Sequence, residues 1–192
     1  MKSILINITL SGILAGAFTA HAKPVSIPIW KKFETFAASK EPGTADWRYF
    51  HRLNELEKAQ LWNHFAKQNK KLQYWHWGWR LAWVRSCELD RSPHCQSILR
   101  EGLHDRALFV RAEAAEVIGN RFRGTQNLAA LSALKEAYEN PRNLRNGKPL
   151  IVQQRILYAM HLIGGEAAKQ GASRLAASSQ QTLNYWRRLA PM

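Results

Sequence analysis

The segment from Leu103 to Gly119 (LHDRALFVRAEAAEVIG) constrains the fold more than any other part of the chain. At 3.6 residues per turn, one helical face collects Val110, Ala114, Val117 and Ile118. Asp105 precedes the first turn, where a carboxylate can accept hydrogen bonds from free backbone N–H groups. Gly119 suits the left-handed residue that often ends a helix. The segment therefore predicts an amphipathic helix, and its Ala114-Ala115 pair allows a second helix to pack closely.

The same residues resemble the second helix of a HEAT repeat, in which an Asp precedes a Val-Arg pair, a small-residue pair and an aliphatic-Gly end. The matching positions are Asp105, Val110, Arg111, Ala114, Ala115, Ile118 and Gly119. Residues 95–121 form the clearest repeat. The resemblance implies an all-α fold, a short solenoid of about eight or nine helices stacked as antiparallel pairs. Because HEAT repeats serve unrelated activities, it implies architecture more than function.

Residues 1–22 have the pattern of a secretory signal peptide. Lys2 supplies the positive start, an apolar segment follows to Phe18, and Ala20-His21-Ala22 forms a small-residue cleavage site. An N-terminal anchor that is never cut is the alternative. Position 23 is Lys, which does not support a bacterial lipoprotein anchor. We therefore expect residues 23–192 to form a single helical domain that is periplasmic or secreted and does not span a membrane after cleavage.

The chain is strongly basic, with 28 Lys and Arg against 14 Asp and Glu, a formal net charge of +14. Such a field attracts acidic partners, although it can also serve solubility alone. Export argues against nucleic acid, which leaves a protein with an acidic surface or an anionic envelope polymer. The loop from Asn140 to Pro149 contributes Arg142, Arg145 and Lys148 without an acid, and we expect a flexible surface insertion there.

The segment from Leu72 to Glu88 is rich in tryptophan and, as one helix, would be apolar on two sides. Such a helix is normally enclosed by neighbours, so we expect most of its tryptophans in the core. The alternative is an exposed aromatic platform, with Trp77 beside Arg80 and Arg85, that stacks on sugar rings or anchors a partner. The preceding helix is predicted to run unbroken from Asp46 to about Gln68, and an earlier one from Trp30 to Ser39.

The two cysteines of the chain, Cys87 and Cys95, predict a disulfide, because an even cysteine count in an exported chain favours pairing. The rival interpretation is a metal site that adds His94 and the distant His76. Zinc sites usually pair cysteines about two to four residues apart, which this spacing does not match. We therefore predict no metal site and no cofactor.

Catalytic motifs are missing from the sequence: it has no Gly-rich phosphate loop, no H-E-x-x-H and no G-x-S-x-G. Glu113 and Glu116 share one helical face and could imitate a carboxylate pair, but such acids are usually solvated. We therefore expect a non-enzymatic protein–protein interaction module, an adaptor or inhibitor of an envelope enzyme. The alternatives are a binder of anionic cell-wall polymer or glycan through exposed Trp and Arg, and a cell-wall hydrolase, which needs only well-placed carboxylates.

Overall fold

The computed structural model describes residues 41–67 and 72–190, and this part of the chain is mostly helical. Its nine helices are α1 (Thr44–Arg52), α2 (Glu55–Lys67), α3 (Trp77–Ser86), α4 (Pro93–Leu103), α5 (Leu108–Arg121), α6 (Leu128–Tyr138), α7 (Ile151–Ile163), α8 (Glu166–Ala176) and α9 (Gln180–Leu189). Two 3-10 turns, Leu72–Tyr74 and Pro141–Asn143, and one short hairpin complete it. The all-α prediction is confirmed. Among the described helices, none has the length and apolar character needed to cross a membrane.

The helices are arranged in two rows. In the first row α3, α5, α7 and α9 contact one another in that order, and α5 and α7 share the most extensive contact of the structure. In the second row α4, α6 and α8 contact one another in order. The rows also pack together, since α4 contacts α3 and α5, and both α6 and α8 contact α7. Helix α1 packs on α3 at the start of the first row.

The contact between α5 and α7 is so close because Gly119 lies within it. A Cβ atom at Gly119 would come within 2.7 Å of the Ala159 Cα atom, so the two backbones nearly touch. The left-handed helix end expected at Gly119 is wrong, because Gly119 lacks a positive φ and α5 continues to Arg121, where the predicted repeat ends. The predicted inward face is confirmed, since these side chains are buried: Val110, Ala114, Val117 and Ile118. Ala115 of the small-residue pair is buried as well.

The predicted unbroken helix from Asp46 to Gln68 is wrong: α1 ends at Arg52 and α2 begins at Glu55. Asn54 provides the physical reason. Its side-chain Oδ1 accepts the N–H of Glu57 at 2.9 Å, and its own N–H donates to the Glu57 carboxylate at 2.9 Å. This reciprocal pair is a capping box, which satisfies the free N–H groups of a new helix start.

The predicted helix from Leu72 to Glu88 is also interrupted, because α3 starts only at Trp77. His76 occupies the N-cap position, and its Nδ1 atom accepts the N–H of Gly78 at 3.2 Å. The tryptophans Trp75, Trp79 and Trp83 are buried, as predicted for most of this segment.

The basic loop predicted as a flexible surface insertion forms a 3-10 turn followed by a hairpin of β1 (Leu144–Arg145) and β2 (Lys148–Pro149). Leu144 pairs with Pro149, and Arg145 with Lys148. Asn146 and Gly147 make the turn with φ of 51° and 71°. Positive φ at both central residues defines the tight turn that matches strand twist, and Asn-Gly is its preferred pair.

Several predictions fall on residues outside the described part of the chain. These are the signal peptide at residues 1–22, the helix from Trp30 to Ser39, and the joint after α2 at residues 69–71.

Candidate binding surface

The first turns of α3, α5 and α7 carry a row of large apolar side chains in contact with solvent. Trp77, Phe109 and Ile151 are 39%, 65% and 41% exposed. The rings of Trp77 and Phe109 lie 6.2 Å apart between centroids, so they form a pair across two helices. Exposed aromatic side chains next to one another are typical of interaction sites, because their burial against a partner releases much apolar surface from water.

Ion pairs connect the same three helices further along this side. Arg85 of α3 donates to Glu113 of α5 at 2.7 Å, and Arg155 of α7 lies 2.9 Å from Glu116. The hydrogen bond to Glu113 is the main reason that the pKa of Arg85 is raised above its ordinary value. Each of the two glutamates is therefore held by an arginine. We call this surface the aromatic face; its residues are Trp77, Arg85, Phe109, Glu113, Glu116, Ile151 and Arg155.

The aromatic face continues toward α9. Burial raises the pKa of Tyr185, and the charges of Arg155, Arg188 and Glu116 also act on this phenol. Tyr185 of α9 is thus close to the last residues of the face.

Arg80, predicted as part of the binding surface, is buried, with only 1% of its area exposed. Its guanidinium donates to both carboxylate oxygens of Asp105, at 2.6 and 2.8 Å, and also to the carbonyl of Trp75. Asp105 further accepts the N–H of Ala107, just before α5, at 2.7 Å. Arg80 therefore joins α3 to the α4–α5 loop, and its proposed role as a surface ligand is wrong.

Arg111 of α5 makes the same kind of link to the next loop. It donates to the Asn143 side chain at 2.7 Å and to the Arg142 carbonyl at 2.8 Å. It also donates to the carbonyl of Asp105, just as Arg80 donates to a carbonyl before its own helix. Burial is the main cause that lowers the pKa of Arg111. The two arginines thus occupy equivalent positions in successive units, with Asn143 standing where Asp105 stands.

The next first-row helix has a neutral side chain at this place, and its hydrogen bond runs back to α6 instead of forward to a following loop. Gln153 of α7 is buried, and its amide donates to the carbonyl of Tyr138 at 3.2 Å. The links Arg80, Arg111 and Gln153 all start from first-row helices.

A cavity of about 510 Å³ opens beside the first of these links. Its lining includes Tyr74, His104, Arg106 and Arg142, and Tyr74 is 68% exposed. The hairpin presents Arg145 and Lys148 at the start of α7. Within residues 41–67 and 72–190, no ion pair engages the exposed cations Arg106, Arg142, Arg145 and Lys148. These four residues are called the basic edge below.

The predicted disulfide between Cys87 and Cys95 is present, with Cα atoms 5.3 Å apart. It closes the loop between α3 and α4, and both sulfurs are fully buried. Arg121 at the end of α5 donates to the carbonyls of Cys87 and Asp90, which attaches this loop to the first row.

Sequence reasoning missed Phe109 and Arg106 as surface residues. Phe109, Glu113 and Glu116 recur at helical spacing opposite the buried stripe of α5, and that pattern could have placed Phe109 outside the core. No pattern in the neighbouring sequence indicates that Arg106 is exposed at the cavity, because this depends on where the 3-10 turn before α3 packs.

Comparison of this chain with models of protein families, with curated proteins and with solved structures gives no match. The resemblance to HEAT repeats therefore stays a prediction.

Proposed function

We propose that this chain is a non-enzymatic, exported protein-binding module, an adaptor or inhibitor of an envelope enzyme, which holds its partner on the aromatic face. The observation that carries the proposal is the exposed Trp77–Phe109 pair on two neighbouring helices. Tryptophan in particular is enriched at the energetic centres of protein interfaces. The ion pairs around it supply the polar rim that such centres usually have.

We further propose that the two helix rows are the two layers of a HEAT-like solenoid, whose units are successive helix pairs. The equivalent links made by Arg80 and Arg111 support this interpretation, because they repeat one arrangement in successive units. A stack of this kind presents an extended surface along one row, which suits the binding of another protein.

The chemistry of the partner follows from what surrounds the apolar row. Trp77, Phe109 and Ile151 lie at the same helix ends as the basic edge. A matching partner carries apolar anchors flanked by carboxylates, and the net charge of +14 favours its approach. Association should weaken as salt screens these charges.

The test immobilises the chain and measures which proteins it captures from an envelope extract at low salt. It compares the wild type with two variants. Wild type and Leu128→Ala should retain the same partner protein, whereas Trp77→Ala/Phe109→Ala should lose it. Leu128 is the matched control, since it is 70% exposed but lies on α6 in the other row. Equal capture by all three versions would refute the use of the aromatic face.

A second candidate function is the binding of anionic cell-wall polymer, which the basic edge favours. Arg145 and Lys148 stand side by side on the hairpin, where their charges can meet successive phosphates or carboxylates. Sedimentation with purified cell wall tests this: Arg145→Ala/Lys148→Ala should reduce co-sedimentation, while Lys169→Ala/Arg174→Ala on α8 should not. Failure of the wild type to co-sediment at low salt would exclude it.

The proposal of export is supported by the leader pattern and by the disulfide, since disulfides persist in oxidising compartments. Intact mass of the chain recovered from the periplasm or medium should show an N-terminus at Lys23. Recovery of the uncut chain from the cytoplasm would contradict export.

A further inference from the structure

Asp90 and His94, beside the disulfide, each have one buried polar atom without a hydrogen-bond partner among the described residues. Asp90 is 1% exposed, and its Oδ1 atom accepts both the N–H and the hydroxyl of Ser92. Within residues 41–67 and 72–190, its Oδ2 atom and the Nε2 atom of His94 have no hydrogen-bond partner, although they lie 3.4 Å from each other. Buried polar atoms are rarely left without partners, so this arrangement calls for an explanation.

Cys95 belongs to the same cluster. Its sulfur, an Asp90 carboxylate oxygen and a His94 ring nitrogen all lie within 4.8 Å of one another. Cys87 is bonded to Cys95, which brings a fourth donor to the same place. While the disulfide is intact, neither sulfur is available as a thiolate, the form in which cysteine binds metals.

We propose that reduction of the Cys87–Cys95 disulfide converts this cluster into a site for a divalent transition-metal ion, with Cys87, Asp90, His94 and Cys95 as ligands. A dithiol reductant breaks the sulfur–sulfur bond; it becomes a disulfide while Cys87 and Cys95 become thiols. Both thiols then lose their protons as the ion binds. Two thiolates, an imidazole and a carboxylate form a tetrahedral donor set that suits Zn²⁺.

The ligand spacing becomes favourable once Asp90 is counted. The order along the chain is Cys-x-x-Asp-x-x-x-His-Cys, so Cys87 and Asp90 are separated by the interval common between neighbouring zinc ligands. All four residues lie either in the loop that follows Ser86, the last residue of α3, or in the first turn of α4, which begins at Pro93.

The surroundings balance the charge of the site in both states. A divalent cation with two thiolates and one carboxylate leaves one net negative charge, and without the ion Asp90 alone carries the same charge. In each state the neighbouring guanidinium of Arg121, 8% exposed and bonded to the carbonyls of Cys87 and Asp90, neutralises it.

The outer shell of the site is already ordered. Ser92 orients the Asp90 carboxylate, and the Trp62 ring stacks on His94 with centroids 5.9 Å apart. Such neighbours fix the orientation of metal ligands. Asp90 also lines a cavity of about 580 Å³ together with Glu55 and Glu88, which gives an ion a route to the carboxylate.

The experiment titrates the full chain with Co²⁺, a spectroscopic substitute for Zn²⁺, with and without a phosphine reductant. The phosphine takes its oxygen from water and leaves two thiols. The reduced wild type should bind one Co²⁺ with a thiolate charge-transfer band that Zn²⁺ abolishes, and the oxidised chain should show no band. Asp90→Asn and His94→Gln should each weaken binding about ten-fold or more, whereas the control His104→Gln should not.

Circular dichroism follows the fold in the same samples, so that binding by an unfolded dithiol is recognised. The proposal is overturned if the reduced wild type shows no thiolate band. It is also overturned if Asp90→Asn and His94→Gln bind as tightly as wild type, or if the oxidised chain binds equally well. The proposal is overturned as well if the helical circular dichroism signal is lost on reduction and Zn²⁺ does not restore it.

Discussion

Arg80 and Asp105 form a buried, two-point ion pair: the guanidinium donates to the two carboxylate oxygens at 2.6 and 2.8 Å, and both side chains are less than one-tenth exposed. The pair connects α3 to the loop before α5. Since Arg111 connects α5 to Asn143 in an equivalent way, the same kind of contact joins α3 to the loop before α5 and α5 to the turn before α7.

Removal of Asp105 should be among the most damaging substitutions in the chain. Asp105→Ala leaves the Arg80 charge buried without its partner, which typically costs about 3–5 kcal/mol of the free energy of unfolding. Asp105→Asn keeps the shape and part of the hydrogen bonding, so a smaller loss of about 1–3 kcal/mol is expected. Urea unfolding measures both. Losses below about 0.5 kcal/mol for both variants, the range of ordinary surface changes, would show that the ion pair contributes little.

Gly119→Ala should destabilise the fold although alanine favours helices by about 1 kcal/mol over glycine. The new methyl group would meet the Ala159 backbone at 2.7 Å, and overpacking of this kind typically costs about 1–3 kcal/mol. Gly171→Ala is the matched control: its methyl group would meet the end of the Lys135 side chain at 2.7 Å and the terminal methyl of Met160 at 3.1 Å. Both are ends of flexible side chains, which can move away. Thermal unfolding should give a lower midpoint for Gly119→Ala and an unchanged or higher one for Gly171→Ala. The reverse order would contradict the close contact of α5 with α7.

Asn54→Ala should remove the capping box that begins α2. The expected loss is about 1 kcal/mol, because the free N–H of Glu57 then has no side-chain acceptor. Asn54→Asp keeps an acceptor at the same position and should retain most of the stability. Chemical unfolding compares the two variants, and equal stability of Asn54→Ala and wild type would argue that the break between α1 and α2 has another cause.

Removal of the disulfide should lower stability even without any metal. Cys87 and Cys95 close a loop with a sequence separation of 8, for which chain entropy gives about 2–3 kcal/mol. We expect Cys87→Ala/Cys95→Ala and the reduced wild type to unfold at lower urea concentration than the oxidised wild type. An unchanged midpoint in both would mean that the bond does not constrain the unfolded chain.

The sequence predicted best what depends on neighbouring residues. The buried stripe of α5, with Val110 and Ala114, follows from helical periodicity alone, and the disulfide follows from the cysteine count. The end of α1 was missed because an apolar stripe continues through Leu53 and hides the Asn54 cap.

Features that depend on distant residues could not be predicted in this way. Arg80 lies on a polar stripe of its helix and looked exposed, but a carboxylate 25 residues later neutralises it in the interior. Gly119 was interpreted as a helix end for the same reason. Glycine is needed there because Ala159, which belongs to another helix, leaves no room for a Cβ atom. The contact between the Phe109 and Trp77 rings likewise depends on how α3 and α5 pack, which no single helix reveals.

The near-contact of Gly119 with Ala159 has an evolutionary consequence. Any descendant that keeps this helix pairing must retain glycine at the first position and a small residue at the second, whereas the outward residues are free to diverge with their partners. A glycine followed 40 positions later by a small residue, rather than overall identity, is therefore the signature by which remote homologues of this fold should be sought.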